Sequence, residues 1–338
     1  MLNQKKNWMT GVFFTLVSLT FVVVFILALI VGRYDISIGN FFKMLFSQSG
    51  YEMERSIVVN LRLPRTIIAA LTGLALSVSG LLYQETFQNK LVSPDLLGVS
   101  SGAGVGAALS IVLGLSSVFV SFFAFGFGVL TVLATMFVAK AFQNKSSMVL
   151  TLSGIIVGGC MGAVLSFIKY LADAETTLAS ITFWLMGSFE HSVMEDVYVL
   201  LPIVAICSIV ILSISYRVNI VALGREEAQT RGINYRAYRT LIIIVATLLT
   251  ASSVAFAGTI SWIGLVVPHI VRLMVGRDTK KTISMCMLFG ATFMVIADIL
   301  SRVFTAAEIP LSAVTGFFGT IIFVVLLFVR RDTIRENN

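Results

Sequence analysis

Charge is what this chain has least of. Only 12% of its 338 residues are Asp, Glu, Lys or Arg, while 57% are hydrophobic; a soluble domain carries roughly 25% charged residues. A water-soluble protein this poor in charge would expose apolar patches that soluble monomers avoid. Histidine occurs twice, at His191 and His269, without the spacing of a metal-ligand pair. The three cysteines, Cys160, Cys207 and Cys286, lie in apolar blocks with no CxxC, so neither a disulfide framework nor a metal site is expected. No GxxxxGK[ST] occurs, so the phosphate-cradling loop and lysine of a nucleotide hydrolase are missing. HExxH is missing too, and no set of convergent catalytic groups points to a membrane enzyme.

What is present is apolar and arranged in blocks: 10–31, 64–83, 91–113, 118–139, 148–170, 197–215, 240–258, 260–275, 282–301 and 313–329. Blocks of this length read as membrane spans, which predicts an all-α polytopic membrane protein with about ten transmembrane helices. The first block lacks an A-x-A exit and is kept as a span, not a cleaved signal. The stretch 177–189 is apolar but short, and reads as interfacial or re-entrant. No linker divides the chain, so residues 1–338 are expected to form one transmembrane domain, with an outer segment at about 33–63.

The basic balance, 24 Lys+Arg against 17 Asp+Glu, orients the spans. Cytoplasmic loops collect Lys and Arg. Lys5, Lys6, Lys90, Lys140, Lys145, the Arg217–Arg239 and Arg272–Lys281 loops, and the tail Arg330, Arg331 and Arg335 all fall on one side if both termini are cytoplasmic. The excess therefore reads as loop charge, and nucleic acid is not an expected partner. The opposite side holds Arg33, Lys43, Arg55, Arg62, Arg65, Lys169 and Arg302, and four of these, Lys43, Arg55, Arg62 and Arg65, crowd into or beside one outer segment. An ion-coupled transporter would call for ionisable groups at mid-membrane, but Glu85, Lys169, Asp298 and Arg302 lie near span ends.

Arg65-Thr66, small residues to Gly80, then Pro94 form one pattern; Arg239-Thr240, small residues to Gly258, then Pro268 form a second. They open spans two and seven, which cross in opposite directions, as in the inverted repeats of transporters. Leu97 to Gly106 is a ribbon of small residues. It reads either as close helix packing or as a broken helix beside a pathway. The loop 218–236 carries both charge signs and is punctuated by Gly224 and Gly232. It is either a solvated connector or a pair of short helices presented to a partner. Pro268 interrupts helical bonding within span eight.

LRLPRT (61–66), LLGVSSGAG (96–104), ALGREEAQTRG (222–232), GTISWIGLVVPHIVRLMVG (258–276), and ADILSR followed by EIPLSAVTGFFG (297–302, 308–319) together resemble the FecCD-type permeases of type II ABC importers, which carry iron-siderophore complexes, heme and vitamin B12. The resemblance covers residues 10–331. It implies ten spans with both termini inside, an inverted repeat of helices two to five and seven to ten, and a place in the bacterial cytoplasmic membrane. It implies a non-enzymatic pore subunit paired with a second permease copy or paralogue. Two cytoplasmic ATPase subunits would dock below and an extracytoplasmic substrate-binding lipoprotein above. ATP and Mg would sit on the ATPases, leaving this chain without cofactor or metal.

The resemblance also implies roles for residues. Ala222, Leu223, Gly224, Arg225, Glu226, Glu227, Ala228, Arg231 and Gly232 align with the ATPase-coupling segment, with Glu226, Ala228 and Gly232 in its E-x-A-x-x-x-G spacing. Arg62, Arg65 and Arg302 map to arginines that meet acidic knobs of the binding protein, although interfacial snorkelling gives the same placement. Pro94, Gly98, Ser100, Ser101 and Pro268 are assigned to the pathway, and Met161, Ser166 and Phe167 of helix five to its gate. The expected cargo is an iron(III)–siderophore chelate, with heme, cobalamin and molybdate as alternatives.

Overall fold

A computed structural model describes residues 2–46, 50–142, 147–276, 278–305 and 307–329. Lys145, Arg277, Arg330, Arg331 and Arg335 lie outside the described residues. The elements in chain order are α1 Leu2–Ile30, α2 Ile38–Phe46, α3 Glu52–Ser56, α4 Leu63–Thr86, α5 Val99–Val112, α6 Ser117–Ala141, α7 Ser147–Leu171, α8 Thr177–Met186, α9 Met194–Ser213, α10 Ser215–Ala222, α11 Arg225–Thr230, α12 Tyr235–Ala257, α13 Ile263–Val275, α14 Thr279–Val303 and α15 Leu311–Val329. Among the described residues seven segments are long and apolar enough to cross a bilayer; α5, α8, α13 and α15 are apolar but shorter.

The block 91–113 is not one helix. A 3₁₀ turn at Pro94–Leu97 runs into Gly98 at φ +79°, a conformation that favours glycine, and α5 starts only at Val99. The block 260–275 is likewise shortened, because Gly258 and Trp262 both have positive φ and the chain is irregular between them. The second break therefore lies at 258–262. Pro268 sits inside α13, buried, and is not the counterpart of Pro94. Segment 52–86 also differs from the expected start near residue 64. It runs from α3 through a π-helical turn at Ile57–Arg62 into α4. Pro64 explains the turn: it has no N–H for the carbonyl of Asn60, and its ring crowds that carbonyl.

The breaks expose the repeat. One half reads α4 (24 residues), break, α5 (14), α6 (25), α7 (25); the other reads α12 (23), break, α13 (13), α14 (25), α15 (19). Ser79 meets Thr250 while Tyr83 meets Thr247, so the equivalent helices α4 and α12 run antiparallel.

Helix α4 is the centre of the molecule. Of its most apolar stretch 83% is buried, against 22% for α1 and α7. Small residues allow this closeness. Gly73 faces the backbone of Gly290 on α14, and Gly80 faces the carbonyl of Gly264 on α13, with no room for a Cβ at either glycine. Hydroxyls tie the packed backbones. Ser77 Oγ donates to the Cys286 carbonyl (2.7 Å), Ser79 Oγ to the Ala246 carbonyl (2.9 Å), and the Tyr83 hydroxyl lies 2.9 Å from Thr247 Oγ1. In a dry interior an unpartnered hydroxyl costs more than its bond returns.

Candidate functional site

The two breaks meet. A cavity of about 440 Å³ lies between them, lined by Pro94, Ser100 and Ser101 from one side and by Thr259, Ser261 and Trp262 from the other. Pro94 packs directly against Gly264, where a side chain would collide with its ring. Polar backbone freed by the breaks finds partners: Ser100 N–H donates to Asp95 Oδ1 (3.0 Å), Ser188 N–H to the Ala257 carbonyl (3.1 Å), and Thr259 Oγ1 to the Leu185 carbonyl. Irregular backbone at membrane depth is tolerated when it is packed by protein or lines a cavity, and both conditions hold here. Trp262 sits at φ +72°, and its ring packs against Phe323 (6.2 Å between centroids) over Gly319 of α15.

Three of the expected pathway residues thus come together. Gly98 supplies the break but does not line the cavity, and its Cα face packs on Gly158 of α7. Pro268 stays within α13 and away from the cavity wall. Of the residues assigned to the gate, Met161 is half-buried and Ser166 and Phe167 are exposed; none lines the cavity, although their neighbour Leu165 does.

The arginines differ most from expectation. As docking groups they would be presented outward, yet Arg62, Arg65 and Arg302 are 5%, 7% and 7% exposed. Arg65 Nε pairs with Asp298 Oδ1 (2.7 Å), and its two terminal nitrogens bridge the Glu308 carboxylate (2.7 and 2.9 Å). Arg302 Nη2 lies 3.0 Å from Asp298 Oδ2 and donates to the Ala28 carbonyl. Arg62 donates to the carbonyls of Leu29, Ile30 and Tyr34 at the end of α1. The cluster ties α1, α4, α14 and the approach to α15. Guanidinium groups in a dry site need carboxylates and carbonyls nearby, and Asp298, Glu308 and the backbone carbonyls of 28–30 and 34 supply them. The exposed cations of the same region are Arg33, Lys43 and Arg55.

At the opposite end of α4 the segment 218–236 folds as two short helices, α10 and α11, hinged at Gly224 (φ +108°). Helix α10 buries Val218, Ile220 and Val221 against α4, α12 and α14. Helix α11 buries only Ala228 and exposes Arg225 and Glu226. Arg231 bonds Glu227 (2.7 Å) in the open; that bond, then one to the Tyr216 hydroxyl, holds its guanidinium above its ordinary pKa. One helix is thus anchored and the other presented.

Two glutamines that sequence reasoning passed over make the connection. Gln88, at φ +53°, donates from Nε2 to the Ala222 carbonyl (3.0 Å). Gln84 is buried, donates to the Gly264 carbonyl (3.2 Å) and accepts from Arg272, which also pairs with Glu85 (3.2 Å). So α4 carries the short helices at its end and the cavity wall along its side. The only available signal was a run of polar residues just past an apolar block.

Among the described residues no group of His, Cys, Asp and Glu could hold a metal ion.

The chain matches the FecCD transport family over residues 20–329. It is 35% identical over 317 residues to the molybdate import system permease protein MolB of Haemophilus influenzae, covering 92% of this chain and 94% of that one. It is 34% identical over 281 residues to the Fe(3+) dicitrate transport system permease protein FecC of Escherichia coli, covering 81% and 84%. A solved inward-facing conformation of a putative metal-chelate type ABC transporter superposes with TM-score 0.84 at 34% identity, covering 92% of this chain and 97% of that one. The small-residue helix packing, the paired breaks and these likenesses agree: this chain belongs to the FecCD transport family, and is a permease subunit of a type II ABC importer, a multi-pass pore component of the cytoplasmic membrane and not an enzyme.

Proposed function

We propose that this permease moves an iron(III)–siderophore chelate, handed over by an extracytoplasmic binding protein, through a pathway formed with a second permease copy or paralogue. Permeases of this family work with ATPase subunits and a binding protein. In this reading about ten spans cross the bilayer with both termini in the cytoplasm, α10 and α11 meet an ATPase that holds ATP and Mg, and the arginine cluster faces outward. The observation that carries the reading is the cavity where the two breaks meet. Its wall offers hydroxyls and one carboxylate, Asp95, and no Lys or Arg among the described residues. A wall of hydroxyls and apolar groups without cations supports passage of a bulky chelate that is never tightly held. The dicitrate relative and the metal-chelate structure point the same way. Molybdate is the second reading, favoured by the MolB relative.

Docking enters in altered form. Arg62, Arg65 and Arg302 build the rim on which the binding protein sits, and Arg33, Lys43 and Arg55 present charge to it. The test is uptake by proteoliposomes holding the permease with its ATPase and binding protein. Ferric siderophore should accumulate with ATP, and excess hemin, cobalamin or molybdate should not compete. Uptake of molybdate in its place would overturn the cargo. Glu at Arg33, Lys43 and Arg55 together should weaken stimulation by the binding protein; unchanged stimulation would remove those residues from the docking surface.

A further inference from the structure

A second, larger cavity lies beside the segment assigned to the ATPase, apart from the one where the breaks meet. It measures about 650 Å³ and lies where the end of α6, the start of α7, α11 and the start of α12 converge. Four cations line it, Lys140, Arg225, Arg236 and Arg239, and no Asp or Glu does so among the described residues. The Arg239 guanidinium is pre-oriented. It lies 5.9 Å from the Tyr235 ring centre and 6.0 Å from that of Phe87, and Nη2 donates to Ser147 Oγ (3.2 Å). The first residues of α12 also line the cavity, which brings the positive end of a 23-residue helix to the same place. Below the cations the wall turns apolar, with Met136, Leu150 and Ile243.

Depth matters as much as charge. Helix α6 ends at Ala141, α7 begins at Ser147 and α12 begins at Tyr235, and all three are candidate spans. The cations therefore stand where the apolar segments stop, at the level of lipid headgroups, and the apolar wall continues toward the acyl chains. Basic pockets between spans at this level suit anionic headgroups.

We propose that this cavity binds the phosphate headgroup of an anionic phospholipid, with the acyl chains laid along α6, α7 and α12. The lipid would brace α11 against the spans. The inference needs only the membrane placement of these helices, so its failure would leave the transport reading intact.

The test is native mass spectrometry of the full chain in detergent, titrated with cardiolipin or phosphatidylglycerol and, separately, with phosphatidylcholine. Anionic lipid should stay bound in preference to phosphatidylcholine. Lys140→Gln and Arg236→Gln, at exposed positions that leave the packing intact, should each loosen it by roughly five-fold. Arg239→Gln should loosen it further. Millimolar inorganic phosphate should fail to displace the lipid, because phosphate alone gains nothing from the apolar wall. Displacement by phosphate would reduce the cavity to a small-anion site and overturn the lipid assignment. Equal retention of phosphatidylcholine, or unchanged cardiolipin binding by the variants, would overturn it as well. So would variants that keep their lipid but lose co-purification with the ATPase, since the cations would then belong to a protein interface.

Discussion

The two ends of α4 handle charge in opposite ways. At one end Arg65, Asp298, Arg302 and Glu308 are enclosed, share their partners, and leave little for solvent. At the other, Gln88 reaches out to α10, and Glu227 and Arg231 pair in the open on α11. Enclosed charge is rigid: removing one member strands the rest in a dry site. Exposed charge is nearly free to change, and its value lies in what it can touch. One end thus sets shape and the other offers contact, and substitutions should separate the two roles.

The largest effect is expected from Asp298→Asn. It leaves Arg65 and Arg302 buried with one carboxylate fewer between them, at a cost of about 3–5 kcal/mol. Thermal unfolding of the purified protein in detergent should show it as a clear loss of stability. Glu308→Gln breaks the two-pronged pair with Arg65 but keeps its shape, and should cost about 1–3 kcal/mol in the same assay. If it equals Asp298→Asn, the cluster does not centre on Asp298. Gln88→Ala removes one hydrogen bond in an exposed place, worth about 0.5–1.5 kcal/mol. Its larger consequence should be functional: ATPase turnover of the reconstituted complex should uncouple from uptake, and retained coupling would show that α10 is held by its apolar face alone. The smallest effect on stability belongs to Glu227→Gln, about 0–1 kcal/mol for an exposed pair. Unfolding should barely register it, while affinity for the ATPase should fall. A stability loss matching that of Glu308→Gln would erase the contrast between the ends.

Much of this was legible in the sequence. Seven of the ten apolar blocks match the long helices, because burial in lipid demands continuous apolar residues, a one-dimensional property. The short pair α10 and α11 was readable because Gly224 and Gly232 punctuate an amphipathic run. The break before α5 was only half readable. Pro94 and Gly98 marked it, but the block 91–113 carries no charge apart from Asp95, and low charge does not report backbone direction. The arginines were the least readable. Their basic character in an outer segment looked like display, because the acids that enclose Arg65 stand 233 and 243 residues away. A charge's partner is a property of the folded chain, and no local pattern around LRLPRT names Asp298 or Glu308. The repeat was visible in outline, but Pro268 drew the eye from the true second break, whose mark is positive φ at Gly258 and Trp262.

The π-helical turn at Ile57–Arg62 has a consequence for how such a protein can diversify. Such a turn holds one residue more than the α-helical path would, and each residue of an α-helix turns the chain by about 100°. Losing or gaining one residue there would swing α2 and α3 around the axis of α4 while Pro64, Arg65 and everything beyond keep their places. The platform of α2 and α3 is thus mounted on an indexed joint. Its facing can change in single steps, by small insertions and deletions, without disturbing the half of the molecule that crosses the membrane.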